Sequence, residues 1–501
     1  MSDQGDAAGV APPATGPASA ATGVPGLDAV LGGGLPRGAL TMVVGPPGSG
    51  KTTLAGQVAF AAARAGRRVL ILTALSEPGD KLLAHLRAFA FFDETLVGGA
   101  FQVISLEQFL PQGLAATADE VRAMAHRARP GLVVLDGFRG LRGAALDSQE
   151  GRRFLYELGG ALGLLGATTI ITSEAQPRDA ALFPEATTAD VLLGVHYRLI
   201  GMRQRRDLEA IKVRGAAPLP GLHPLTIGAA GAEVFPRLET RVAAGEPAAV
   251  AAPGQASFDL PELDAILGGG LPGGTTTLVW GAPGAGKTLL GLHFALAGVE
   301  AGEPTVYLSF REGDAELRRL AAPFALGRRL GAALASGGLT LRRLAPVELD
   351  PDVAADVLLR ALDERRARRL VIDGIGELEE AVADGGDPRR PRNYAAALAE
   401  ALRERGVTAV LIKEARRLVA EALAADSDDI GSIADNVLLT QQVAIGGRLR
   451  RVLSAPKARY SARDDRFRVF EIAPPAGIRV LGPLDGPDWP TGAGDPGTGG
   501  A

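Results

Sequence analysis

Two segments of this chain have the residue types and spacing needed to hold phosphate. Gly45 to Thr52 reads GPPGSGKT and Gly281 to Thr288 reads GAPGAGKT, each satisfying G-x-x-x-x-G-K-[ST] at an offset of 236 residues. Glycines at Gly45, Gly48 and Gly50, and at Gly281, Gly284 and Gly286, let successive backbone N–H groups curl around a polyphosphate. Lys51 and Lys287 would reach its terminal phosphates, and the hydroxyls of Thr52 and Thr288 would take Mg²⁺, with Thr53 next in line. A helix opening at each loop would add its positive N-terminal end. The pattern predicts two nucleoside triphosphates per chain.

Lysine usage sharpens this reading. Of 53 basic residues only six are lysine, and Lys212 and Lys457 form a second matched pair at an offset of 245. Four of the six therefore occupy two repeat-matched positions. The second pair belongs to a shared R-x-R-R-x5-K-x-R block: Arg203, Arg205, Arg206, Lys212 and Arg214, then Arg448, Arg450, Arg451, Lys457 and Arg459. Basic residues also protect exposed strand edges. A lysine kept amid arginines favours a phosphate contact, because a compact ammonium and a planar guanidinium fork do different work.

The elements that must position these groups repeat as well. PGLDAVLGGGLPRGALTMVVGPPGSGKTTL (25–54) and PELDAILGGGLPGGTTTLVWGAPGAGKTLL (261–290) each read as a short helix, a glycine-rich turn, an apolar strand, the loop and a helix. Further apolar strands are expected at 69–73 and 305–310, then at GLVVLD and RRLVID, ending in Asp136 and Asp373. An aspartate closing such a strand is the expected Mg²⁺ partner of the threonine. TTIITSE and TAVLIKE follow, to Glu174 and Glu414, and later strand-like runs precede the basic blocks. Near-continuous apolar strands alternating with helices predict an α/β fold: two tandem domains, each a mostly parallel sheet flanked by helices with a late antiparallel hairpin. The expected bounds are an unstructured segment over 1–21, domains over 22–242 and 257–485, a linker over 243–256 and a flexible tail over 486–501.

Composition agrees and excludes. At 501 residues, 47% hydrophobic and 22% charged, the chain is globular and needs more than one core. No cysteine is present, which excludes disulfides and thiolate metal sites and fits a cytoplasmic protein. The N-terminal stretch lacks the basic and apolar regions of a signal peptide, and no run is long enough to span a membrane. A formal charge of −4 and 5% aromatic residues argue against nucleic acid as a partner.

The T-G-x-P-G-x-D start (Thr22 to Asp28), the GGGLP turn before each loop and the K-x-R near each domain end together resemble the KaiC family of circadian-clock and clock-like ATPases. The resemblance covers about residues 22–485. It implies two tandem RecA-like P-loop NTPase domains, ATP and Mg²⁺ as cofactors, and a homo-oligomeric ring, a hexamer. It also implies that Lys212, Arg214, Lys457 and Arg459 reach the nucleotide of a neighbouring subunit. The family's paired catalytic glutamates are not kept: TALSEPGD and SFREGDAE leave Glu77 and Glu312 as the candidate bases, each of which could instead start a helix. The family's phosphorylated Ser-Thr pair aligns with Gly431 and Ser432, so Ser432 is the expected phosphoacceptor of a serine/threonine autokinase activity. The expected function is a nucleotide-dependent signalling or clock-like switch with an unknown signalling partner. Two alternatives stay open: a DNA-handling ATPase of the RecA/RadA type, and a pseudo-enzyme scaffold that binds ATP for assembly.

Overall fold

The structure is a computed structural model that describes residues 18–73, 79–138, 148–178, 187–200, 202–242, 254–415, 429–445, 448–459 and 466–484. Its contacts fall into two compact units that meet in sequence between Thr240 and Arg241.

The first unit opens with a small ribbon of β1 (Ser19–Ala20) and β2 (Leu35–Pro36). A nine-stranded sheet follows, built from β3 (Leu40–Gly45), β4 (Val69–Thr73), β5 (Phe101–Ser105), β6 (Leu132–Asp136), β7 (Thr168–Glu174), β8 (Val191–Ile200), β9 (Arg203–Val213), β10 (His223–Gly228) and β11 (Gly231–Val234). Its order is β11-β10-β9-β8-β3-β7-β6-β4-β5. From β8 to β5 every pair is parallel, and from β8 through β11 every pair is antiparallel.

The second unit repeats the plan. A ribbon of β12 (Gln255–Ala256) and β13 (Leu271–Pro272) precedes β14 (Thr276–Gly281), β15 (Thr305–Ser309), β16 (Leu339–Arg343), β17 (Arg369–Asp373), β18 (Thr408–Glu414), β19 (Asn436–Ile445), β20 (Arg448–Ala458), β21 (Arg468–Ala473) and β22 (Gly477–Pro483). The order β16-β15-β17-β18-β14-β19-β20-β21-β22 is that of the first sheet, strand for strand. The expected strands and the late hairpin are present. The expected unstructured segment and linker differ at their inner ends, where Ser19–Ala20 and Gln255–Ala256 pair with the strand that leaves each glycine-rich turn. Residues 1–17, 243–253 and 485–501 lie outside the described residues.

Both faces of the first sheet are covered, which explains the unbroken apolar strands. Val43, Ile71, Val134 and Ile170 point to the face packed by Leu54, Val58 and Phe60 of the Lys51–Arg64 helix. Their neighbours Met42, Val44, Leu70, Leu72, Val133, Leu135 and Ile171 point the other way, onto Val121 of the Leu114–Ala128 helix and Leu158 of the Ser148–Leu164 helix. Each such side chain fully buried contributes about 1.5–3 kcal/mol of transfer free energy.

The helix after each loop is also held by its C-terminal hairpin. In the first unit Gln57 accepts from the Ala232 N–H at 2.7 Å and donates to the Ala232 carbonyl at 3.1 Å. The matched residue, 236 positions on, is His293, whose Nε2 accepts from the Ile478 N–H at 3.4 Å. The contact is close: a Cβ on Gly231 would lie 2.4 Å from Gln57 Oε1, and one on Gly477 2.9 Å from His293 Nε2. Burial, then the Arg329 charge, lowers the His293 pKa to about 4, while Asp259 acts in the opposite sense. The folded state therefore keeps this imidazole neutral while an unfolded chain protonates it near the ordinary 6.5. That stability is fully present above pH 6.5 and is lost as pH falls toward 4, a term of roughly 3 kcal/mol. Denaturant unfolding followed by Trp280 fluorescence should lose stability across that window, and His293→Gln, which copies Gln57, should flatten the loss. An unchanged pH profile in the variant would remove His293 as the cause.

Candidate functional site

Each loop begins where a central parallel strand ends. β3 closes at Gly45 and β14 at Gly281, and the helices start at Lys51 and Lys287. Glycine is needed at the strand ends because the next strand crowds them: a Cβ would lie 2.5 Å from the Val195 carbonyl oxygen at Gly45 and 2.1 Å from that of Thr440 at Gly281. It is needed at the helix starts by conformation, with φ 99° at Gly50 and 90° at Gly286. Gly48 and Gly284 share φ 74° and 73°. The cradle is therefore the same in both units, with side chains excluded by close contact at the strand ends and by backbone conformation at Gly48, Gly50, Gly284 and Gly286. The buried Ser49 hydroxyl in the first loop has no partner, which leaves a polar atom for a ligand to satisfy.

The lysines fold back over their loops. Lys51 Nζ donates to the carbonyls of Gly45 and Pro46, both at 2.9 Å, and Lys287 Nζ to that of Ala282 at 2.8 Å. Burial pushes both ammonium groups below the ordinary lysine range, opposed chiefly by Glu174 and Asp136 in the first unit and by Glu414 and Asp373 in the second. A triphosphate would return the charge compensation that burial removes. Thr53 turns its buried hydroxyl to His85 Nε2 at 3.3 Å, and its counterpart is Leu289, so this side chain packs the helix rather than the loop.

Parallel pairing brings the aspartates to the same edge. Thr52 Oγ1 lies 3.2 and 3.1 Å from the two Asp136 oxygens, and Thr172 of the adjacent strand β7 also donates to Asp136. In the second unit Thr288 bonds Asp373, but the second donor comes from the opposite neighbour: Tyr307 of β15 donates to Asp373 at 2.8 Å. Residue 412, where Thr172 would recur, is isoleucine, and so is residue 71, where Tyr307 would. Burial raises the Asp373 pKa to about 6, with Glu312 adding to the rise and the Tyr307 and Thr288 hydrogen bonds and Lys287 opposing it. Burial also lifts the Tyr307 phenol well above its ordinary value.

Among the described residues no cluster of three or more His, Cys, Asp or Glu could hold a metal. A Thr–Asp pair beside a polyphosphate fits Mg²⁺ instead, since that ion takes one or two protein ligands, phosphate oxygens and waters. The residues present fit a nucleoside triphosphate with Mg²⁺ in both units.

Glu312 acts on Asp373 and Tyr307 through its charge, and its N–H bonds Ser309 Oγ at 3.0 Å. It does not start the next helix, because Glu316 accepts from the Gly313 N–H there. Arg311 beside it pairs with Glu377 and Glu414 rather than with Glu312. Glu77 lies outside the described residues.

The basic blocks split between the two edges of each sheet. Arg206 donates to the Gly48 carbonyl at 3.2 Å and stacks 4.5 Å over Tyr197, and Arg451 donates to the Gly284 carbonyl at 3.2 Å. Both arginines therefore brace the loop of their own unit, a role hidden in the sequence because they sit in one run with the other basic residues. Lys212 and Arg214 lie at the other end. Lys212 Nζ donates to the carbonyls of Ala189 and Thr187, and Arg214 pairs with Asp190 at 3.1 Å. Asp190 also accepts from the N–H of Leu40, the first residue of β3. The second unit matches: Lys457 donates to the carbonyls of Gly431 and Ser432, Arg459 pairs with Asp435 at 3.3 Å, and Asp435 accepts from the Thr276 N–H. Leu40 and Gly45 are the two ends of β3, so roughly 17 Å of strand separates each K-x-R from its own loop. Ser432 is exposed on the short Asp429–Ile433 helix.

The basic runs RRARR at 365–369 and PRRPR at 388–392 are partly internal. Arg369 is buried against Glu303 and the carbonyls of Ser257 and Phe294, and Arg390 is buried against Asp352. Among the described residues no helix is long and apolar enough to cross a membrane.

A family model for the KaiC ATPase matches residues 20–239 and again 258–485. The chain is similar to the circadian clock protein KaiC3 of Synechocystis sp., 26% identical over 474 residues that cover 90% of this chain and 89% of the relative. It is 24% identical to the circadian clock oscillator protein KaiC of Rippkaea orientalis over 462 residues, 90% of this chain and 86% of the relative. The KaiC of Synechococcus elongatus gives 24% over 463 residues, 90% and 87%.

A divalent cation held by Thr288 and Asp373 must displace the proton that Asp373 keeps below about pH 6. In a Lys51→Ala chain, Mg²⁺-dependent nucleotide affinity is expected to fall about tenfold between pH 7 and pH 5. Tyr307→Phe removes a donor to the ionised carboxylate and should move the midpoint upward. Isothermal titration across this range reads both effects, and an unmoved midpoint would mean that another group titrates.

Proposed function

The chain belongs to the KaiC family of ATPases, and on that premise we propose that it is a ring-forming ATP-hydrolysing switch whose two nucleotide sites are each completed by a neighbouring subunit. Gly45, Gly48, Gly50, Lys51 and Thr52, with Gly281, Gly284, Gly286, Lys287 and Thr288, hold the triphosphates, and Asp136 and Asp373 hold Mg²⁺ with the threonines. The observation that carries this reading is the position of the K-x-R pairs. Lys212 and Arg214, like Lys457 and Arg459, are anchored at the start of the strand whose other end bears the loop. Charge placed there cannot serve its own loop and is well placed to serve a second copy, which supports a homo-oligomer, a hexamer by family resemblance.

Mg²⁺ supplies Lewis-acid stabilisation of the transferring phosphoryl group. The chain's own part is positioning and charge: the loop amides and lysine orient the triphosphate, and the trans lysine and arginine neutralise charge that develops on it. Glu312, whose charge already acts on Asp373, is the carboxylate in the second unit placed to orient water, and Glu77 is its expected counterpart in the first. With one carboxylate per site instead of two, hydrolysis should be slow in at least one unit. The switch works in the cytoplasm with a signalling protein as partner, in keeping with a cysteine-free chain of formal charge −4. Ser432, exposed beside the carbonyls that hold Lys457, accepts phosphate in a secondary autokinase activity.

Two inactive variants test the trans arrangement. Lys51→Ala/Lys287→Ala and Lys212→Ala/Lys457→Ala should each lose phosphate release by about 10³-fold or more. Mixed under subunit exchange, they should regain activity, since some interfaces then join an intact loop to an intact K-x-R. Mixed oligomers without recovery would place the lysines in a purely structural role. For Ser432, intact mass after long incubation with Mg²⁺ and ATP should rise by one phosphate in the parent chain and not in Ser432→Ala. An unchanged parent mass removes the kinase activity and leaves the ATPase switch.

A further inference from the structure

At residue 311 the second unit carries a cation that the matching segment of the first, residues 74–78, lacks in its sequence. Arg311 stands in the loop between β15 and the Asp314–Ala321 helix, whereas residues 74–78 in the matching place read ALSEP and include no basic residue. Its guanidinium bridges two carboxylates on separate elements. Nε lies 2.7 Å from Glu377, in the first turn of the Ile375–Ala383 helix, and NH1 lies 2.9 Å from Glu414, the last residue of β18. Glu377 is also particular to this half, since residue 140, its match, is glycine. The arginine and its helical partner thus occur together in one half, and neither occurs in the other.

Glu414 connects this pair to the loop. In register it lies opposite Gly281, where the loop begins. It is the largest charge acting to raise the Lys287 pKa, and Arg311 acts on the same ammonium in the opposite sense. Arg311, Glu414 and Lys287 therefore share one electrostatic field at the end of the loop strand. The Arg311 backbone is fixed, its N–H on Ser309 Oγ at 3.3 Å and its carbonyl accepting from Arg343 Nε at 3.1 Å. The side chain is 59% exposed and can exchange partners without moving that backbone.

We propose that Arg311 senses the terminal phosphate of nucleotide in the second site, leaving Glu414 for that phosphate when a triphosphate is bound and returning to Glu414 when a diphosphate remains. A planar guanidinium fork takes carboxylate or phosphate oxygens in the same geometry, so the exchange replaces one charge-assisted pair with another. Glu414 keeps a cation on leaving Arg311, because Lys287 is within its field. Glu377 serves as the anchor and carries the change to the Ile375–Ala383 helix, which begins two residues after Asp373. This role rests on the reading that the second loop binds ATP. It gives that unit a preference for triphosphate over diphosphate and a route by which the bound state moves an element outside the loop.

The test uses the full chain with Lys51→Ala, so that nucleotide binding reports the second site. Affinities for ADP and for an ATP analogue with a non-hydrolysable β,γ bridge are measured by titration calorimetry with Mg²⁺. Arg311→Gln should weaken the triphosphate analogue by about tenfold or more while ADP stays within about twofold. Arg311→Lys, a point charge without the fork, should recover only part of the loss. Amide exchange in residues 375–383 should differ between analogue and ADP in the Lys51→Ala chain and become the same in Arg311→Gln. ADP binding at parent affinity also shows that the variant is folded. An unchanged preference, or equal losses for both nucleotides, would make Arg311 a clamp between Glu377 and Glu414 and overturn the sensing role. Failure of the Lys51→Ala chain to bind either nucleotide would overturn the two-site reading and the sensor together, an outcome that ADP binding distinguishes from the first.

Discussion

Six strands in each unit run parallel, and parallel ladders oblige their C-terminal ends to gather at one edge of the sheet. In the first unit that register sets Gly45 opposite Glu174 and Thr73 opposite Asp136, and in the second Gly281 opposite Glu414 and Ser309 opposite Asp373. Residues from four strands thereby meet beside one loop. Gly45 and Gly281 follow from this crowding, because the strand beside the loop strand leaves no room for a Cβ where the chain turns into the loop. The start of each loop is shaped by strand crowding as much as by the loop's own sequence.

The two units keep this frame and change what supports it. Asp136 takes its extra hydroxyl from Thr172 on one neighbouring strand, and Asp373 takes its own from Tyr307 on the other. The loop helix is tied to the last hairpin by Gln57 in one unit and His293 in the other, through the same backbone position beside a glycine. Each pair serves one geometric end with different chemistry, and the second member of each is a group that burial drives to an unusual pKa. Arg311 extends the contrast, adding a guanidinium that bridges Glu377 and Glu414 beside a loop already flanked by Lys287 and Arg451. The duplication has produced two sites with one shape and unlike electrostatics.

The basic blocks show what a sheet does to a linear run. Arg206 and Lys212 are six residues apart on β9, and a strand of that length spans about 20 Å, so they cannot act at one place. The first braces its own loop and the second is anchored at the far edge. Asp190 and Asp435 fix that far edge by bonding the first N–H of the loop strand and the arginine of K-x-R together. This division keeps Lys212 and Lys457 away from the loop of their own unit, which is the premise of the proposed trans arrangement.

Much of this was legible in the residues alone, for a definite reason. Phosphate-holding loops need glycine, lysine and a hydroxyl at fixed short spacings, and a doubly covered parallel strand must be apolar on both faces, so the loops, the strands ending in Asp136 and Asp373 and the two-unit plan are written locally. The repeat offsets of 236 and 245 residues added the hairpins without any three-dimensional knowledge. What the residues could not give were partnerships across strands. That Tyr307 rather than a β18 hydroxyl supports Asp373, that Thr53 faces His85, that Arg311 bridges Glu377 and Glu414, and that one basic block divides between opposite edges all depend on register and on which strand lies beside which. Local spacing determines which groups this chain offers, and only the packed sheet decides which of them meet, because contact between distant segments is set by strand order and not by distance along the chain.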